Sequence, residues 1–140
     1  MVQQGFEALK TCLLNQRRQQ AFRIYQLRLD EEQPTVPFAF GGIKELHQAG
    51  FEQPPADKYN RVYDGELFCT DDEDEQHCLN RIFEQYNEEL PEGYPGRSIA
   101  PSDVIELYDD STRRYYYCDR DTFCPVKFSP MLAKPLMCKD

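Results

Sequence analysis

Apolar residues recur at spacings of three and four through Phe6, Leu9, Cys12, Leu13 and Leu14. That is the period of an amphipathic helix, and it predicts one over residues 1–20. The period then changes. From Ala21 to Leu29 the positions Phe22, Ile24, Tyr25, Leu27 and Leu29 are interleaved with Arg23, Gln26 and Arg28, which suits a strand with one half-exposed face. A polar, proline-marked loop over 30–37 and a short apolar run over 38–40 lead to Gly41-Gly42, a chain break in the pattern. Ile43 to Gln48 predicts a short helix buried through Ile43 and Leu46, with Gly50 placed for a left-handed C-cap. Pro54-Pro55 excludes a continuing helix, and Tyr59 to Phe68 predicts a second strand through Tyr59, Val62, Tyr63, Leu67 and Phe68.

Asp71 to Glu75 opens a longer helix, where acidic side chains favour the dipole, and Cys78, Leu79, Ile82, Phe83 and Tyr86 follow at helical spacing. Leu90 to Ala100 holds Pro91, Gly93, Pro95 and Gly96 and reads as loop. Asp103 to Tyr108 and Tyr115 to Cys118 predict two strands joined by the polar turn Asp109 to Arg114, and Phe123 to Phe128 a final one. Ser129 to Asp140, with Pro130 and Pro135, reads as a tail on the surface or disordered. The expected organisation is an N-terminal helix (1–20), one folded domain (21–128) and the tail (129–140). The expected fold is α+β, with an antiparallel or mixed sheet of four or five strands and two or three helices mainly on one face.

Composition supports a folded chain, because nine Phe and nine Tyr among 140 residues supply core material that a disordered segment lacks. No stretch approaches the length of a membrane span, and the N-terminus lacks the apolar run of a signal peptide, so the expected location is the cytoplasm. Charge changes the picture more. Between Asp64 and Asp110 there are fifteen acids and two bases, Arg81 and Arg97, whereas the other residues hold ten acids and fourteen bases. The formal charge of −9 is therefore concentrated in one block. Such a block repels a phosphate backbone, which argues against direct nucleic-acid binding and for a basic protein surface as partner.

Catalytic chemistry finds little footing. The two histidines, His47 and His77, both fall in predicted helices, and there is no GxxxxGK[ST], GxGxxG or HExxH. Six cysteines, Cys12, Cys69, Cys78, Cys118, Cys124 and Cys138, contain no CxxC pair. They read as free, mostly buried thiols; a zinc site using Cys69, His77, Cys78, Cys118 or Cys124, or disulfides, are the alternatives. The acidic run Asp71 to Glu75 lacks the spacing of an EF-hand loop. No cofactor is expected.

Several short segments, in order, carry a resemblance: Phe22-Arg23-Ile24-Tyr25-Gln26-Leu27, Tyr59 with Val62-Tyr63, Phe83 with Asn87, Gly96-Arg97-Ser98, Ser102-Asp103-Val104, and Tyr116-Tyr117-Cys118-Asp119 with Phe123. Over roughly residues 21 to 128 the chain resembles the YodL-like domain. The resemblance implies an accessory module of bacterial conjugative elements and phages, often beside antirestriction or DNA-processing proteins, with no established reaction. The chain departs from the family's pattern where the small-aromatic-glycine ending of the last hairpin becomes Arg120-Asp121-Thr122-Phe123.

Two candidate sites follow. The partner-binding set is Glu66, Asp71, Asp72, Glu73, Asp74, Glu75, Glu84, Glu88, Glu89 and Glu92, carboxylates that would stand in for phosphates if the partner were a nucleic-acid-binding defence enzyme of the anti-CRISPR or antirestriction kind. The polar set is Arg97, Ser98, Ser102, Asp103 and Asp119, the basis of an alternative expectation of a small-ligand-binding or enzymatic domain. Without a base for either serine it would bind a small ligand and not cleave it, unless these residues only close a loop through turn chemistry. A structural accessory domain of a longer mobile-element protein is the third expectation.

Overall fold

The computed structural model describes residues 18–29, 37–69 and 74–135. Six strands form one sheet: β1 (Arg18–Leu27), β2 (Tyr59–Cys69), β3 (Val104–Tyr108), β4 (Arg113–Cys118), β5 (Phe123–Val126) and β6 (Lys134–Pro135). The helices are α1 (Ile43–Gln48) and α2 (Glu75–Glu88), and single 3-10 turns lie at Ala56–Lys58 and Pro130–Leu132. The order across the sheet is β5-β4-β3-β1-β2-β6. Every neighbouring pair is antiparallel except β2 with β6, so the sheet is mixed.

β1 lies between β2 and β3 and carries apolar side chains on both faces, so each face gains from cover. Phe22 and Ile24 join Leu79, Ile82 and Tyr86 of α2, with Ile105, Leu107 and Tyr116, on one face of the sheet. Tyr25 and Leu27 join Phe38, Leu46 of α1, Tyr59, Tyr117 and Phe128 on the other. The helices therefore lie on opposite faces, where the sequence predicts them mainly on one, because the apolar set of β1 serves two cores. A bulge adjusts β2 to the same demand. Ile24 pairs with Tyr63 and Tyr25 with Arg61, and the extra residue, Val62, turns toward α2 while Tyr59 stays on the α1 face.

Other boundaries also move. Arg18, Gln19 and Gln20 belong to β1, where they face Cys69, Phe68 and Leu67, and not to the end of a first helix; the rest of that helix lies outside the described residues. The strand count rises to six because the tail adds β6, docked in parallel on Asn60 and Arg61 of β2. Buried Phe128, against Tyr25 and Tyr59, anchors the start of that tail, and residues 136–140 are outside the described set. The C-cap of α1 is as expected. Gly50 has φ 97°, its N–H donates to His47 O (3.0 Å), and Phe51 N donates to Leu46 O (3.2 Å), a Schellman motif.

One carboxylate lies within the sheet itself. Glu106, on β3, is 0% exposed and accepts from the Tyr25 hydroxyl (2.8 Å), from Arg23 Nη1 (3.2 and 3.3 Å) and from Arg113 Nη1 (3.3 Å). Burial, then the neighbouring carboxylate, pushes the Tyr25 hydroxyl up and keeps it a donor. Removing one partner of a buried ion pair leaves the others desolvated and unpaired. Glu106→Ala is expected to lower unfolding free energy by about 3 to 5 kcal/mol in urea denaturation; a loss below about 1 kcal/mol would show that the cluster is not what holds β1, β3 and β4 together.

Candidate functional site

At the end of the sheet where β1 finishes and β3 begins, loop and strand are joined through two buried side chains. Gln26 is 1% exposed. Its Oε1 accepts from Arg97 N (3.0 Å), and its Nε2 donates to Arg97 O (2.8 Å) and to Asp103 Oδ2 (3.0 Å). Asp103 Oδ2 also accepts from Ala100 N (2.9 Å). The loop needs glycine at 96, because a Cβ there would stand 2.5 Å from Gln26 Oε1. Asp103 is fully buried, and burial, only partly offset by Gln26 and Ala100, raises its pKa to about 7. Its Oδ1 has no hydrogen-bond partner, nor do Nε and Nη2 of Arg97 or the Tyr94 hydroxyl.

Ser102 and Asp119 act one step further out. Ser102, at φ 83°, accepts from Phe40 N through Oγ (3.0 Å), and its carbonyl accepts from the Tyr59 hydroxyl (2.6 Å). Asp119 Oδ1 accepts from Ile43 N (3.0 Å) at the first turn of α1 and from Arg120 N (2.8 Å). Partial burial opposes ionisation of Asp119, but these backbone donors outweigh it and hold the carboxyl below its usual range. Ser98 is exposed. The five residues of the polar set thus do not converge on one cavity. Ser102, Asp103 and Asp119 fasten α1, the 97–100 loop and the β4 end together, and Arg97 alone of the five lines an open cleft, with Gln26, Arg28 and Asn60. Sequence reading places Gln26 on the half-exposed face of its strand; a lone amide in an aliphatic run was the signal for a buried anchor.

A family model described as YodL-like domain matches residues 21–128 of the 140, a range that holds every residue of this network. The chain belongs to the YodL-like domain family. No curated protein and no solved structure matched it. Within this YodL-like domain, Gln26, Gly96, Arg97, Ser102, Asp103 and Asp119 are linked by hydrogen bonds and close packing around one strand end. The hairpin ending at 119–122 is a tight turn, with Asp119 N donating to Thr122 O (2.9 Å).

The acidic set separates more sharply. Asp71, Asp72 and Glu73 lie outside the described residues. Asp74 caps α2 by accepting from His77 N (2.9 Å), Glu75 meets Arg114 and the Tyr116 hydroxyl, and Glu66 accepts from Gln19 Nε2 (2.6 Å). Glu84, Glu88, Glu89 and Glu92 are exposed, and no side-chain bond or ion pair engages them among the described residues. The first three line one shallow cleft with Leu67 and Arg81, whose Nη1 donates to Phe68 O (2.9 Å).

His47 and His77 are exposed on their helices. Cys69, Cys78 and Cys118 are buried, with Cys124 half-buried; burial pushes the Cys118 thiol up, the opposite of what activates a nucleophile. Cys12 and Cys138 are outside the described residues, among which no group of three or more His, Cys, Asp and Glu side chains is placed to hold a metal. None of the described helices is long and apolar enough to cross a membrane.

The buried carboxyl makes a pH prediction. An unfolded aspartate titrates near 3.8, the folded Asp103 near 7, so across that window the folded state retains a proton that the unfolded state has lost. Its contribution to stability is present below about 4 and is lost as pH rises to about 7. Asp103→Asn keeps an acceptor for Gln26 and Ala100 and cannot ionise. Its melting temperature relative to the parent is expected to climb between pH 5 and pH 8; a difference independent of pH would refute the assignment.

Proposed function

We propose that this YodL-like chain is a noncatalytic protein-binding module whose acidic side docks on a basic protein surface. The observation that carries this reading is the row Glu84, Glu88, Glu89 and Glu92, which is exposed and engaged in no ion pair among the described residues, with Arg81 the one base lining the same cleft. Local structure explains other acids: Asp74 caps a helix, Asp109 closes a turn by accepting from Ser111 N and Thr112 N, and Asp64 pairs with Arg23. These four serve no such purpose. Glu84 and Glu88 stand about one helical turn, 5.4 Å, apart, and like charges at that spacing cost the helix a few tenths of a kcal/mol. A helix that keeps them against that cost gains a field suited to a cationic partner, raising encounter rates and making binding salt-dependent.

The sharper form is a mobile-element anti-defence protein that occupies the nucleic-acid groove of a CRISPR or restriction nuclease by presenting carboxylates in place of phosphates. Support for it is the charge row together with the setting that the family implies. The test is binding of the purified protein to such nucleases at low salt, with duplex DNA as competitor. Glu84→Lys/Glu88→Lys/Glu89→Lys is expected to weaken binding at least about tenfold, as is raising salt from about 50 to about 300 mM. Binding unchanged by both would remove the acidic docking model; binding that is salt-sensitive yet not competed by DNA would remove the mimicry and leave the docking.

A further inference from the structure

The two arginines at the Gln26 strand end have guanidinium nitrogens that nothing in the fold uses. A cleft of about 510 Å³ opens there, and Arg28, Arg97, Asn60, Val62 and Leu29 are among its walls. Arg28 sits just beyond β1 and spends Nη2 on the Asp57 carbonyl (2.8 Å), leaving Nη1 buried without a partner. Arg97 is presented by the loop that Gln26 clamps through both backbone groups, and its Nε and Nη2 are likewise buried and unpaired. Its guanidinium carbon lies over the Phe40 ring at 5.3 Å, a contact that satisfies no N–H. Three buried cationic donor atoms without acceptors are costly in a folded chain, and two arginines lining one cleft are a receptor for oxyanions.

We propose that this cleft is a binding site for a small organic phosphate, with Arg28 and Arg97 holding the phosphoryl oxygens. Charge selects phosphate over carboxylate. Two guanidinium groups supply two positive charges, and a phosphate monoester carries about 1.5 to 2 negative ones at neutral pH, whereas a carboxylate carries one. Asp103 lies behind Arg97, inside the core; with its pKa raised to about 7 it is about half protonated at neutral pH and offsets Arg97 only in part. Leu29, 41% exposed, offers apolar surface to the organic body, and Asn60 a neutral hydrogen-bonding group. The site uses none of the glutamates of the proposed docking row, so it stands or falls separately from that reading.

Phenyl phosphate and benzoate, which share a ring and differ in the anion, are the probes, followed by calorimetry and by backbone amide shifts at Arg28, Gly96 and Arg97. Phenyl phosphate is expected to bind saturably and at least about tenfold more tightly than benzoate. Arg28→Gln and Arg97→Gln are each expected to weaken it by about tenfold or more, while Arg61→Gln, an exposed site on β2 with the same change in net charge, leaves it unaltered. Should Arg97→Gln fail to fold by circular dichroism, the Arg28→Gln comparison and the amide shifts decide. No saturable binding at about 10 mM ligand, or equal losses in Arg28→Gln and Arg61→Gln, overturns the site; equal binding of benzoate overturns its assignment to phosphate.

Discussion

The carboxamide of Gln26 is the constraint on which one end of this domain depends. It is the only kind of group that answers all that the position asks: an acceptor for Arg97 N, a donor for Arg97 O and a donor for the Asp103 carboxyl. A glutamate would lose the donors, and an aliphatic residue would leave three polar partners desolvated. Because β1 is interior to the sheet, fixing the 97–100 loop to it also fixes where β3 begins. Asp103 then carries the chain into β3, its backbone carbonyl accepting from Cys118 N (2.8 Å), and the next residue of β4's exit, Asp119, holds the first turn of α1. A short helix with little stability of its own is thereby seated by side chains from a distant hairpin. The chain approaches so closely that a Cβ at Gly42 would overlap Asp119 Oδ1.

Charge in the molecule is sorted by what each group does rather than by where it falls in the sequence. Within the acidic block, Glu106 and Asp103 are fully buried, yet they solve the problem of burial differently. Glu106 is met by two arginines and a tyrosine hydroxyl, whereas Asp103 receives only neutral donors and responds by shifting toward its protonated form. The surface acids divide likewise. Those beside β1 and β4 have arginine partners, Asp64 with Arg23 and Glu75 with Arg114, and those toward the end of α2 have none among the described residues.

The elements most legible in the sequence are those whose pattern has one cause. The α2 stripe Cys78, Leu79, Ile82 and Tyr86 and the Gly50 cap needed only local rules. The strands were legible as strands, but alternation cannot tell a half-exposed face from one covered by a second core, so β1 read as a strand with one half-exposed face. The same ambiguity hid Gln26 and Glu106. A polar residue at alternate positions reads as solvent-facing, and only long-range partners, 71 and 83 residues away for Arg97 and Arg23, show that it is buried and satisfied. β6 was invisible because two residues carry no period, and its pairing depends on Phe128 having already brought the tail to β2.

The polar constellation at this strand end therefore has a first cause in architecture: most of its members are spent on holding loop, helix and strand together. That economy makes the exceptions informative. In a network where Gln26, Ser102 and Asp119 each satisfy backbone groups, the unpaired nitrogens of Arg97 and Arg28 do not follow from loop closure, since a shorter or neutral side chain would close the loop through the same backbone bonds. Keeping a guanidinium there imposes desolvation on every molecule that folds. A ligand that supplies the missing acceptors removes that cost, and the arrangement of two arginines about one cleft states which chemistry the ligand must have.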